Sequence, residues 1–151
     1  MKIRTTSIIT VVATMLLVFS CKKKETPPPA PEPSIEFISV SPSTLVQFND
    51  QVIVKIKYKD ANGDLGDLNP DEHSMIVKDD RLQNADTYHI QPLAPISEEN
   101  IPIEGELTLK LNSMFLIGTG TSETTTLRIK LKDRAGNWSN EVSSTPINIT
   151  K

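Results

Sequence analysis

The chain holds a single cysteine, Cys21, so neither an internal disulfide framework nor a multi-cysteine zinc cage can form. Histidine is almost as scarce. His73 and His89 are the only imidazoles, and each stands apart from any recognisable motif. No G-x-S-x-G elbow, H-E-x-x-H pair or glycine-rich phosphate loop occurs. Asp79-Asp80 and Glu98-Glu99 are sequence neighbours, the pattern of solvated carboxylates rather than of a catalytic pair. These absences predict a protein that is not an enzyme. There is no basic excess either: 16 Lys and Arg stand against 19 Asp and Glu, which argues against nucleic acid as a partner. With 37% hydrophobic residues in 151, the chain can build one ordinary domain and is too apolar to be disordered throughout.

Composition divides what is present into three zones. The first, residues 1–20, opens with Lys2 and Arg4 and continues as an apolar run from Ile8 to Phe19 that stops at Ser20-Cys21. A basic start, an apolar stretch and a small residue at the boundary are the parts of a cleaved secretory signal. The run is shorter than the roughly 20 residues that span a bilayer core. The second zone, residues 21–33, reads C-K-K-K-E-T-P-P-P-A-P-E-P and holds five of the 11 prolines. Such a stretch cannot pack a core. Its twelve residues from Lys22 to Pro33 favour an extended polyproline II spacer, reaching up to roughly 37 Å at about 3.1 Å per residue.

Val18-Phe19-Ser20-Cys21 resembles the lipobox of bacterial lipoproteins. The resemblance implies that Cys21 receives a diacylglyceryl group on its thiol, that the chain is cut before it, and that the new amine is acylated. Several acyl chains together give firm membrane attachment. Lys22 to Lys24 would then lie at the headgroups. Lys22 also occupies the position where lipoproteins of the enteric type carry Asp when retained at the inner membrane, which implies the outer membrane. Removal of Lys2 and Arg4 with the signal leaves 14 basic against 19 acidic residues, a formal net of −5.

The third zone, residues 34–151, carries strand signals throughout. Val52, Val54, Ile56 and Tyr58 alternate with Ile53, Lys55, Lys57 and Lys59, the period of a half-buried strand. Leu107, Leu109 and Leu111 share one face, as do Leu127, Ile129 and Leu131, with Arg128, Lys130 and Lys132 opposite. Further strands are expected over 35–40, 74–78, 87–91 and 142–149. Seven short strands separated by Gly, Pro, Asn and Asp clusters predict an all-β, Ig-like or fibronectin III-like β-sandwich. The missing cysteine pair, and the lack of a Trp in the third strand, argue against an antibody-type domain. The lysine-bearing faces of the second and sixth strands fall on opposite sheets, so they are solvated faces rather than one basic patch.

Asp60-Ala61-Asn62-Gly63-Asp64-Leu65-Gly66 and Asp133-Arg134-Ala135-Gly136-Asn137-Trp138-Ser139-Asn140 resemble the D-x-D-G-D-L-G and D-x-A-G-N-x-S-N segments of Ig-like bacterial lipoproteins. The resemblance supports the fold and the location and implies no activity. The residues themselves suggest more. Asp60, Asn62 and Asp64 have the one-three-five oxygen spacing of calcium loops, with Asp71 at position twelve. Leu65 in place of the sixth-position glycine, and a strand leading in, exclude an EF-hand. The loops after the second and sixth strands share one end of such a sandwich, which brings Asp60, Asn62, Asp64 and Asp67 beside Asp133 and Asn137, with Glu98 and Glu99 near. Two readings follow: a β-sandwich calcium site, or carboxylates and amides that cap turns.

Trp138, the only Trp, either closes the end of the core or stacks on a sugar or partner. The function expected is a lipid-anchored, non-catalytic interaction or structural module of the cell envelope, with an envelope protein or glycan as partner. The alternative is a carbohydrate-binding surface lipoprotein for polysaccharide capture. That alternative requires an exposed aromatic pair, whereas Phe37, Phe48, Tyr58, Tyr88 and Phe115 fall mostly on or beside expected core positions.

Overall fold

The computed structural model describes residues 32–96 and 101–151. Cys21, the segment 1–20, most of the tether and the Glu98-Glu99 pair lie outside the described residues. Among the described residues there are ten strands and no helix, so none is long and apolar enough to cross a membrane. The strands are β1 (Ser34–Ser41), β2 (Thr44–Val46), β3 (Ile53–Asp60), β4 (Met75–Asp79), β5 (Asp86–Tyr88), β6 (Ile103–Lys110), β7 (Ser122–Thr125), β8 (Leu127–Leu131), β9 (Val142–Ser143) and β10 (Ile147–Thr150).

They form three sheets, ordered β1-β3-β6, β2-β10-β7 and β5-β4-β8-β9. The all-β, sandwich-like character agrees with the alternation in the sequence. The count of seven does not. β2 is too short and β7 too polar to carry a visible period; β10 recruits both, β2 in parallel and β7 antiparallel. The single strand expected over 142–149 is two, because Pro146 has no N–H to donate and the ladder changes partner there. At that break the Ser144 N–H donates to the Leu127 carbonyl at 2.8 Å, and its hydroxyl accepts the Leu127 N–H at 2.9 Å.

One apolar cluster joins the three sheets. The alternating faces deliver Val52, Val54 and Ile56 from β3 and its lead-in, Leu127, Ile129 and Leu131 from β8, and Ile147 and Ile149 from β10, all buried. Each such side chain stabilises the fold by about 2 kcal/mol relative to exposure. Lys55, Lys57 and Lys59 on β3 and Arg128 and Lys130 on β8 belong to different sheets, so the cations are divided between them.

Register gives the domain two distinct ends. β1 begins with Ser34 opposite Lys59, and β6 begins with Ile103 opposite Asp60. The start of β4 and the end of β8 meet at the same end, Met75 opposite Leu131. At the other end lie the β1–β3 pair Ser41 and Ile53, the β4–β8 pair Asp79 and Leu127, and the β2–β10 pair Val46 and Thr150.

Candidate functional site

The β1-start end holds most of the residues singled out in the sequence. Asp60 is 3% exposed, and its carboxylate accepts the backbone N–H groups of Asn62 at 3.2 Å, Asp64 at 2.7 Å and Leu65 at 3.2 Å. The turn this imposes needs Gly63 at φ +68°, where a Cβ would strike the Ile101 carbonyl. Asp133, 2% exposed, does the same for the second loop, accepting the Asn137 N–H at 2.7 Å and its Nδ2 at 2.9 Å. The two loops meet, as the sandwich topology expected from the sequence placed them. Leu65 bridges Asp133, the Arg134 N–H donates to the Asp64 carbonyl at 3.1 Å, and the Arg134 guanidinium donates to the Gly66 carbonyl at 2.8 Å.

Asp64 has the least compensated carboxyl of this end. Its Oδ1 is buried without a hydrogen-bond partner among the described residues. Burial, then the Asp133 and Asp60 charges, hold its pKa above the ordinary carboxylate value, and the Ala135 amide offsets only part of this. Asp67 is spent on the Asn69 N–H at 2.8 Å. Among the described residues, no three His, Cys, Asp or Glu side chains converge closely enough to hold a metal ion. The oxygens of Asp60 and Asp133 are engaged by amides, so the donor set suits turn capping better than a calcium cage. Trp138 is 37% exposed, and Lys132 Nζ lies 5.7 Å from its ring centroid.

A polar cleft of about 350 Å³ beside these loops is lined by His73, Ser74, Glu72 and Asp133, among others. Its imidazole and hydroxyl do not form a nucleophile–base pair at Ser74. His73 Nδ1 pairs with Thr87 Oγ1 at 2.7 Å, and the Ser74 hydroxyl is buried without a partner among the described residues. His89 Nδ1 lies 3.0 Å from the Glu72 carbonyl.

The opposite end contains what sequence reasoning missed. Phe48 is 71% exposed and Phe115 40%, and their rings lie parallel within 2° at a centroid separation of 5.8 Å. This corrects the expectation that these two aromatics face the core; Phe37, Tyr58 and Tyr88 do pack against it. Phe48 is the only non-glycine residue at positive φ among the described residues, at +60°. That conformation costs about 1 kcal/mol for an L side chain. It is held by the Phe48 N–H donating to the Met114 carbonyl at 3.0 Å, by Leu116 N–H to Gln47 Oε1 at 3.2 Å, and by Gln47 N–H to the Thr150 carbonyl at 2.8 Å.

Behind the rings sits an ion-pair network. Arg81 donates from Nη2 to Asp79 at 2.6 Å, from Nη1 to Glu123 at 2.7 Å, and from Nη1 to the Phe115 carbonyl at 3.0 Å. Burial raises the Asp79 pKa, but the hydrogen bonds from Arg81 and Thr125 outweigh it and the net shift is downward. The Gly118 and Ile117 amides, followed by Arg81, hold the Glu123 carboxyl below its ordinary value. The loop that carries Phe115 is thus tied down at both its carbonyls and its amides. One signal was present in the sequence: Met114-Phe115-Leu116-Ile117 is an apolar run outside any strand period. Comparison with known proteins finds no matching family model, no matching curated protein and no matching solved structure.

Proposed function

We propose that this chain is a lipid-anchored cell-envelope protein that presents one non-catalytic Ig-like module on a proline-rich tether. Acylated Cys21 would be the mature first residue and the membrane its first partner, with Lys22 favouring the outer membrane. Sheets ordered β1-β3-β6 and β5-β4-β8-β9 around one core support the Ig-like reading. The formal net of −5 after processing speaks against nucleic acid.

The observation that carries the reading is the polarity of the domain. Ser34 pairs with Lys59, so a chain arriving from residues 21–33 joins the end that holds Asp60 and Asp133, while Phe48 and Phe115 lie at the other. An anchor on that side leaves the aromatic end facing outward, as a binding module requires.

The test is mass spectrometry of the mature N-terminus together with membrane fractionation, comparing the full chain with Cys21→Ser. The wild type should lack residues 1–20, carry the acyl mass on Cys21 and sediment with the outer membrane. The variant should persist as the uncleaved precursor. A wild-type protein that keeps residues 1–20, or carries no added mass, would remove the anchor from the reading.

A further inference from the structure

The Phe48–Phe115 end is more than an exposed apolar patch. Two aromatic rings stand in solvent while a strained backbone and a partly buried ion-pair network hold them there, and such strain is characteristic of binding sites. Val46 and Ile117, 41% and 51% exposed, extend the apolar surface. The platform runs directly into a cleft of about 270 Å³, of which Phe115 forms one wall. Tyr88, Asp86, Asn112, Ser113 and Arg81 also line this cleft.

The charges of the cleft select its occupant. Arg81 is the only cation in the lining, and its guanidinium is committed to Asp79, Glu123 and the Phe115 carbonyl. Asp86 makes no ion pair or side-chain hydrogen bond among the described residues; burial, together with the Asp86 charge, pushes the Tyr88 phenol upward. What remains on offer is therefore a carboxylate acceptor, amide and hydroxyl groups that both donate and accept, and flat apolar faces. An anion finds no unspent positive partner here. A neutral, hydroxyl-rich ring needs none: its C–H face can lie on the outer aromatic face while its hydroxyls bond to Asp86, Asn112 and Ser113. The two rings stack on each other, so the pair presents one flat outer aromatic face, which suits the C–H face of a pyranose better than the irregular knob of a protein anchor.

We infer that the Phe48–Phe115 platform and the adjoining cleft bind a neutral polysaccharide, with one pyranose ring stacked on the outer face of the aromatic pair. The inference rests on the reading of the chain as a non-catalytic binding module, and it names the partner of that module. It does not depend on acylation of Cys21.

The experiment is affinity electrophoresis of the full chain in detergent, through gels containing xylan, mannan, dextran or a mixed-linkage glucan, with polygalacturonate as the acidic comparison. The wild type should be retarded by at least one neutral polymer and not by polygalacturonate. Phe48→Ala and Phe115→Ala should each weaken retention about tenfold, the effect of losing a central aromatic contact. Trp138→Ala, at the opposite end, should leave it unchanged. Both Phe side chains project into solvent, and unchanged circular dichroism would certify the variants as folded. Retention by none of the neutral polymers, retention indifferent to the Phe variants, or preference for polygalacturonate would each overturn the inference. A dimer seen by sedimentation that Phe48→Ala dissociates would assign the platform to a second copy instead. Failure here leaves the Cys21 result standing, and failure there leaves the gel result standing.

Discussion

The two ends of this sandwich solve the burial of acids in opposite ways. Where β1 begins, Asp60, Asp64 and Asp133 gather with backbone amides as their main donors, and Asp64 is left with a buried, unbonded oxygen. At the other end, Asp79 and Glu123 share one guanidinium, and each accepts further hydrogen bonds. Amides can shape a turn around a carboxylate, but they do not cancel its charge for a neighbouring carboxylate. A guanidinium does both. The difference suits the proposed roles, with the first end as a folded junction to the tether and the second as a rigid support for exposed rings.

Removing the guanidinium should break the comparison most sharply. Arg81→Ala leaves Asp79, 8% exposed, without its ion pair, and should cost about 3–5 kcal/mol in urea unfolding. It also frees the Phe115 carbonyl, so the same variant should lose the ordered geometry of the platform. A cost below about 1 kcal/mol would mean that the network behaves as an ordinary surface pair.

The corresponding change at the junction should be milder. Asp60→Ala removes the acceptor of three backbone N–H groups and should cost about 1–3 kcal/mol, with Asp60→Asn falling between variant and wild type. If Asp60→Ala proved more damaging than Arg81→Ala, the ranking of the two ends would be reversed.

The smallest effect should have the opposite sign. Because the fold raises the pKa of Asp64, its contribution to stability is fully present below its unfolded value and is lost as pH rises through its folded value. Asp64→Asn should therefore melt higher than the wild type near neutral pH, and the gap should close on acidification. Asp79 and Glu123 run the other way: their lowered values mean stability present above the unfolded value and lost as pH falls through the folded one. Acid relieves one end as it weakens the other. Repeating the neutral melts with millimolar calcium distinguishes a proton from a metal at Asp64. With the Asp60 and Asp133 oxygens on amides, no shift is expected. A rise in the wild type that the Asn variant lacks would assign a cation instead.

The expected sandwich topology made the junction legible in advance. Once Val52 to Tyr58 and Leu127 to Leu131 are read as the second and sixth strands of an Ig-like sandwich, the loops that follow them share an end. The described residues hold ten strands rather than seven, yet Leu65 still bridges Asp133 there. The platform offered no such handle. Arg81 and Glu123 are 42 residues apart, neither lies in a periodic run, and their pairing depends on how the ends of β4 and β7 stack. Phe48 sits two residues after Val46, where hydrophobicity alone suggests core. Its exposure follows from a left-handed backbone that only the Met114 carbonyl and neighbouring bonds select.

The sequence by itself determined the all-β class, the core faces of β3, β6 and β8, and the turn-forming character of the two acid-bearing loops. These depend on period-two alternation and turn chemistry, which are local properties. Only the tertiary structure decided that Asp60 and Asp133 are turn anchors, that Asp64 is the uncompensated acid, and that two phenylalanines stand outside the core. Each of those depends on which distant groups arrive at the same few ångströms, and no local pattern encodes that.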